Sequence, residues 1–163
     1  MSETYRVKIE KERLVFSAAH FITYDGDTCE PLHGHNYHVR AEVAGPLDEN
    51  HYVIDFIALR DSLQRIVDGL DHRMLLPTEH ATISVSQEAG EVTAKHGERR
   101  WVFPEGDCVL LPMANTTAEL LAKWIGGRLL ESLAQRSLEP PTELIIEVDE
   151  CDGQWGVWQL KVE

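Results

Sequence analysis

From His33 to Val43 the sequence alternates strictly, with His33, His35, Tyr37, Val39, Ala41 and Val43 on one parity and Asn36, His38, Arg40 and Glu42 on the other. Side chains of a strand point alternately to its two faces, whereas a helix would scatter these residues around its surface. The segment is therefore a long, half-buried strand with aliphatic residues at one end of its inner face and two imidazoles at the other. At a rise of ~3.3 Å per residue, His33 and His35 leave the backbone roughly 6–7 Å apart and can converge on one ion. Gly34 between them has no side chain, which lets another backbone come close on the opposite face. His20, at the end of a separate apolar strand, can complete a three-nitrogen set with one open position, the arrangement of catalytic zinc sites. Iron and nickel also accept nitrogen ligands. His-x-His alone is as readily a pair of surface histidines; the third histidine and the nearby Cys29 favour a metal site. His38, on the other strand face, and His51, His80 and His96, in loops, read as ordinary polar residues.

The remaining segments define an α+β chain. Tyr5, Val7 and Ile9 alternate with charged residues, and Leu14-Val15-Phe16 leads to His20, so a hairpin turning near Lys11-Glu12 is expected. A polar loop from Thr23 to Pro31 carries Cys29. Asp55 is placed to cap a helix that buries Phe56, Leu59, Leu63, Ile66, Val67 and Leu70 and ends near Gly69. A second helix starts at Thr116, with Glu119 completing a capping box, and buries Leu120, Leu121, Trp124, Ile125 and Leu129. After Pro140-Pro141, Leu144 to Val148 and Val157 to Val162 form two strands around an Asp152-Gly153 turn. The order ββ, αα, ββ predicts an antiparallel sheet with a helical layer on one face. Residues 78–112, between the helices, contain a further hairpin, Val92–Lys95 and Arg100–Phe103 around His96-Gly97.

Length and composition narrow the function. With 163 residues and 43% hydrophobic content, the chain reads as one domain over 1–163. A net charge of −13 argues against a nucleic-acid partner, which would need a basic face. No apolar run approaches the roughly 20 residues that span a bilayer, and the first residues lack the apolar core of a secretion signal. Three widely spaced cysteines, Cys29, Cys108 and Cys151, fit free thiols in a reducing compartment, so a cytoplasmic protein is expected. Cys108 and Cys151 read as packed or inert, and Trp101-Val102-Phe103 as hairpin packing.

The chain resembles the 6-pyruvoyl-tetrahydropterin and 6-carboxytetrahydropterin synthase family. The likeness lies in Phe16-Ser17-Ala18-Ala19-His20, in Cys29-Glu30-Pro31-Leu32-His33-Gly34-His35-Asn36-Tyr37, in Gly69-Leu70-Asp71-His72, and in Asn115-Thr116-Thr117-Ala118-Glu119 with Val148-Asp149-Glu150. The resemblance implies that His20, His33 and His35 bind Zn2+ and that Cys29 is the catalytic base, with Asp71 and His72 as its partners. It further implies that Glu150 anchors the pterin ring and that Thr116 and Thr117 contact it. The implied fold is the T-fold, a four-stranded antiparallel sheet with two helices on one face, here with an extra hairpin inserted at about 78–112. The implied assembly is a homohexamer built as two trimers, with active sites at subunit interfaces. The implied substrate is 7,8-dihydroneopterin triphosphate, for which Arg40, Arg73 and Lys95 are loosely placed cations.

Cys29 stands four residues before His33, as in the carboxy-forming branch; pyruvoyl-forming members place it six before. The expected product is therefore 6-carboxy-5,6,7,8-tetrahydropterin, with the pyruvoyl product as the alternative. Bound zinc would polarise side-chain oxygens of the substrate, and a thiol needs only modest acidification by a nearby cation to act as a base. An aspartate on one ring nitrogen of His72 would fix the tautomer that exposes the other. Outside synthases, a zinc hydrolase or a non-catalytic pterin-binding module accommodates the same histidines. The pathway served, whether synthesis of a deazapurine nucleoside such as queuosine, of folate or of tetrahydrobiopterin, stays open.

Overall fold

The computed structural model describes residues 3–162. In chain order the elements are β1 (Tyr5–His20), β2 (Thr23–Tyr24), β3 (Thr28–Cys29), β4 (His33–Gly45), α1 (Phe56–Asp68), β5 (Arg73–Pro77), β6 (Ser84–Glu88), β7 (Glu91–His96), β8 (Arg99–Pro104), β9 (Cys108–Leu111), α2 (Ala118–Gln135), β10 (Glu143–Asp149) and β11 (Trp155–Lys161). The main sheet has the order β11-β10-β4-β1-β5-β9. Its first four strands pair antiparallel, whereas β5 joins β1 and β9 joins β5 in parallel. The fold is α+β with two helices and a mostly antiparallel sheet, and the sheet has six strands where four were expected. The added edge comes from β5, which follows α1 and pairs with β1 through Ala18–Arg73 and Ala19–Met74, and from β9, which returns to β5 after the β6–β8 segment. No helix among the described residues is long and apolar enough to cross a membrane.

Three local expectations change. No hairpin interrupts the first strand: β1 runs unbroken, and its Lys11–Leu14 stretch bulges against Val39, between the pairs Glu10–Arg40 and Val15–His38. The bulge switches parity, so Ile9 and Leu14 both reach the core. Its polar residues resemble a turn because both kinds of irregularity expose them. Asp55 does cap α1, its Oδ1 accepting from the N–H of Ile57 at 2.7 Å. Phe56, however, is 53% exposed and lies beside Lys8–Lys11, because the first turn sits at the rim of the sheet. The cap of α2 is Thr117 rather than Thr116, with Thr117 Oγ1 accepting from Leu120 N–H at 3.4 Å. That one-residue shift breaks the Thr116–Glu119 capping-box spacing and leaves Thr116 available to the site.

Two cores result. The larger lies between the sheet and both helices and includes Phe16, Tyr37, Leu63, Leu121, Ile125 and Ile146. The second lies on the opposite face of the β5–β9 edge, where Met74, Leu76 and Leu110 pack with Phe21, Val92 and Trp101. Residues 84–104 form the three-stranded sheet β6-β7-β8 that covers this face, around the hairpin read at His96-Gly97. An edge buried on both sides explains the unbroken apolar runs Met74-Leu75-Leu76 and Val109-Leu110-Leu111.

Helix α2 lies against β10 and β11, and a Cβ added at Gly126 would run into the Trp158 ring, whereas one at Gly127 would meet nothing within 4 Å. Adjacent glycines should therefore respond oppositely to alanine. Gly127→Ala should gain ~0.5–1 kcal/mol from helix propensity, while Gly126→Ala should lose about 1–3 kcal/mol by overpacking. Urea denaturation of the two variants gives the signs; a stabilised Gly126→Ala would contradict the packing described.

Candidate metal centre and active site

His20 pairs directly with His33 across β1 and β4, and Ala18 pairs with His35. Directly opposed residues share a face, so all three imidazoles project on the helix-facing side. Their nearest ligand atoms all lie within 4.8 Å of one another. At Gly34 a Cβ would stand 3.0 Å from the Ala18 carbonyl oxygen, so the close backbone is that of the paired strand β1 in the same sheet.

The rings are also oriented. His20 Nδ1 meets the carbonyl of Thr116 at 2.9 Å, and His33 Nδ1 meets that of Pro31 at 2.9 Å. A carbonyl only accepts, so Nδ1 carries the proton in both rings and Nε2 retains its lone pair. His20 Nε2 is buried without a protein hydrogen-bond partner. Burial, with smaller contributions from His33 and His35, pushes the His20 pKa down to about 4 against the opposing effect of the Thr116 carbonyl. A neutral buried ring with an unpartnered lone pair and a backbone acceptor on its other nitrogen has the donor chemistry of a metal ligand. The three residues therefore fit a metal ion.

Two carboxylates border this set. Glu150, just beyond β10, places Oε1 3.4 Å from His20 Nε2 and 4.0 Å from His35 Nε2. Burial chiefly, then the charge of Glu30, raises its pKa. Glu30 was read only as part of a polar loop. Its Oε2 lies 3.9 Å from His33 Nε2 and accepts from Ile22 N–H at 3.2 Å. The signal available in the sequence was its place between Cys29 and His33. Tyr37 also borders the set, with its ring centroid 5.4 Å from that of His35 and its buried hydroxyl without a protein partner.

The other predicted residues are distributed unevenly. Cys29 is partly buried, and its Sγ donates weakly to the Glu30 carbonyl at 3.5 Å. A cation is nearby, as the chemistry of a thiol base requires, but burial outweighs Arg99 and leaves the thiol pKa raised, with Glu30 and Asp27 adding to the rise. Asp71 and His72 form the expected pair, Oδ2 to Nδ1 at 2.8 Å, while Asp71 Oδ1 accepts from Ser17 N–H at 2.7 Å. That backbone bond is the main cause of the lowered Asp71 pKa. The His72 side chain is 82% exposed. It lines a shallow depression with Ser17, Gly34 and Asn36, which alternate with the inward-facing residues of β1 and β4. His72 thus opens on the outer face of the sheet, opposite the triad. Thr116 is fully buried and serves His20 through its carbonyl, and the hydroxyl of Thr117 is engaged in capping α2.

A family profile described as 6-pyruvoyl tetrahydropterin synthase matches residues 8–159. The chain belongs to this family. A relative from Methanocaldococcus jannaschii, provisionally named 6-carboxy-5,6,7,8-tetrahydropterin synthase, is 28% identical over 151 residues, covering 92% of each chain. A similarly named relative from Pyrococcus horikoshii is 32% identical over 119 residues, covering 72% of this chain and 70% of its own. The crystal structure of 6-pyruvoyl tetrahydropterin synthase from Plasmodium vivax superposes with a TM-score of 0.90 at 25% identity, covering 99% of this chain and 100% of that one. As a tetrahydropterin synthase family member of lyase type, the chain uses strands β1 and β4 to build a three-histidine metal set.

Removing one imidazole from such a set costs much of its metal affinity. His33→Ala and His35→Ala should therefore fall far below one bound zinc per chain by elemental analysis. His38→Ala, altered on the other face of β4, should remain stoichiometric. Equal metal content in the three variants would refute the ligand assignment.

Proposed function

We propose that this chain is a zinc-dependent synthase that converts 7,8-dihydroneopterin triphosphate and water into 6-carboxy-5,6,7,8-tetrahydropterin, acetaldehyde and triphosphate. The observation that carries the reading is the convergence of His20, His33 and His35 with two Nε2 lone pairs left free by backbone acceptors. The four-residue step from Cys29 to His33 and the names of the archaeal relatives favour the carboxy product. The Plasmodium vivax likeness keeps the pyruvoyl product as the second reading.

Zinc suits three nitrogen ligands with an open position, and when bound it supplies Lewis-acid polarisation of the substrate's side-chain oxygens. Glu150 accepts hydrogen bonds from the pterin ring N–H and amino group. Its location beside the triad supports that role, because the ring would then hold the side chain over the metal position. Cys29 accepts a carbon-bound proton, and Glu30, whose carboxylate faces His33, is a second acceptor in the same hairpin. Asp71 holds His72 with its proton on Nδ1, which leaves Nε2 to relay a proton. Since His72 opens on the outer face of the sheet, that relay serves a site shared between chains. An assembly is thereby needed, for which the family resemblance offers the homohexamer of two trimers; the cytoplasmic location and a carboxypterin product suited to deazapurine nucleoside synthesis belong to the same reading.

Incubating the zinc-loaded protein with 7,8-dihydroneopterin triphosphate and analysing products by mass spectrometry should yield the carboxypterin together with acetaldehyde. Pyruvoyl-tetrahydropterin without acetaldehyde would retain the site and overturn the product. Cys29→Ala should keep its zinc and turn over at least ~10²-fold more slowly; if Glu30→Gln shows that loss instead, the carboxylate is the base. Glu150→Gln keeps shape but weakens charge-assisted bonds worth roughly 1.5–3 kcal/mol each. Its affinity for a pterin analogue should drop at least ~10-fold with metal retained, and unchanged affinity would remove Glu150 from the pterin pocket.

A further inference from the structure

The hairpin that presents Cys29 and Glu30 has little of its own to hold it. Strands β2 and β3 pair through only Thr23–Cys29 and Tyr24–Thr28, and the connection places Asp25 and Gly26 in the left-handed region. A two-stranded ribbon of this kind is marginal in water. Its Glu30 carboxylate nevertheless faces His33, and its Cys29 side chain packs against the second core.

The restraint comes from the sheet β6-β7-β8. One terminal nitrogen of Arg99, at the start of β8, donates to the carbonyl oxygens of Cys29 and Glu30, at 2.9 Å each. The Arg99 guanidinium lies 4.6 Å from the centroid of the Trp101 ring, and Trp101 stacks on Phe21 at 4.3 Å. Phe21 directly follows His20. The same side chain is thus tied through Trp101 to the strand that supplies a metal ligand and through two hydrogen bonds to the hairpin that supplies the proton acceptors. Asp27, in the hairpin loop, is fastened in parallel by His96 at 2.9 Å and by the Thr82 hydroxyl.

We propose that Arg99 is a positioning residue of the active site, clamping the Cys29 and Glu30 carbonyls so that the carboxylate is held beside His33 and the thiol at a fixed place in the same hairpin. Packing of the hairpin alone would not need both carbonyls. Arg99 is also the cation acting on a thiol that otherwise faces Glu30 and Asp27, the latter paired with His96. Its removal should therefore change both the placement and the acidity of Cys29.

The kinetic part of the test rests on the synthase reading; the chemical part does not. Zinc content, kcat, KM and the pH dependence of Cys29 alkylation by iodoacetamide, followed on the Cys29 peptide by mass spectrometry, are compared in zinc-loaded wild type, Arg99→Ala, Arg99→Lys and Arg100→Ala. Arg99→Ala should retain zinc and lose kcat at least ~10-fold with KM within about threefold. Its alkylation midpoint should rise by at least ~0.5 pH. Arg99→Lys should recover the midpoint but only part of kcat, since an ammonium keeps the charge without the planar fork. Arg100→Ala should behave as wild type. If Arg99→Ala keeps the wild-type kcat and midpoint, or speeds alkylation at every pH without moving the midpoint, the proposal is overturned. If wild type itself forms no pterin product, the synthase reading fails while the alkylation midpoint still decides the role of Arg99.

Discussion

The register between β1 and β4 is the constraint on which the rest depends. Pairing His20 with His33 places three imidazoles together on the inner face; the same register sets Phe16 on Tyr37, with ring centroids 4.7 Å apart, as the floor beneath them. A slip of β4 by one residue would turn His33 and His35 to the opposite side, away from His20, and bury Asn36 in their place. The register is held at the other end by the bulge at Lys11–Leu14, which brings Ile9 back into phase with the core. Metal ligation and core packing are thus two consequences of one strand pairing.

The orientation of the ligands depends on parts far from those strands. Thr116 lies 96 residues beyond His20 and fixes its tautomer through a backbone carbonyl. This contact exists because α2 starts at Ala118 with Thr117 as cap, leaving Thr116 outside the helix and buried against His20. Glu150 arrives from the end of β10, whose pairing with β4 runs to Asp149–His38. The antiparallel order β10-β4-β1 therefore delivers an acid to a site whose ligands come from the two strands beside it.

The β6-β7-β8 sheet is more than an ornament on this scaffold. It buries the second face of the parallel edge, and in doing so seats Trp101 against Phe21 and brings Arg99 to the Cys29–Glu30 backbone. Acidic groups crowd the site, with Glu30 and Glu150 facing the histidines and Asp27 in the nearby loop. A dication and one guanidinium are the charges that would balance them, in a protein of net charge −13.

Local periodicity made the inner face of β4 readable, and with it two of the three histidines, because a strand's alternation depends on nothing beyond neighbouring residues. The Asp55 cap, the end of α1 at Gly69 and the hairpin at His96-Gly97 were readable for the same reason: turn and cap chemistry is short-range. His20 was readable as a third ligand from its place at the end of an apolar strand, whereas the roles of Cys29, Glu150 and the Asp71–His72 pair came from family resemblance; the structure sets Glu150 beside the triad and opens His72 on the other face. What sequence could not decide is which distant residues meet. Glu30 looks like any loop acid until Ile22 N–H and His33 hold it, and Arg99 looks like a surface charge until β8 carries it to Cys29, 70 positions away. By itself the sequence determined the faces, the caps and the candidate ligands, since these follow from chain-local geometry. Only the tertiary structure decided the unbroken β1, the parallel edge and the groups that orient and surround the ligands, because these follow from strand pairing between segments far apart in the chain.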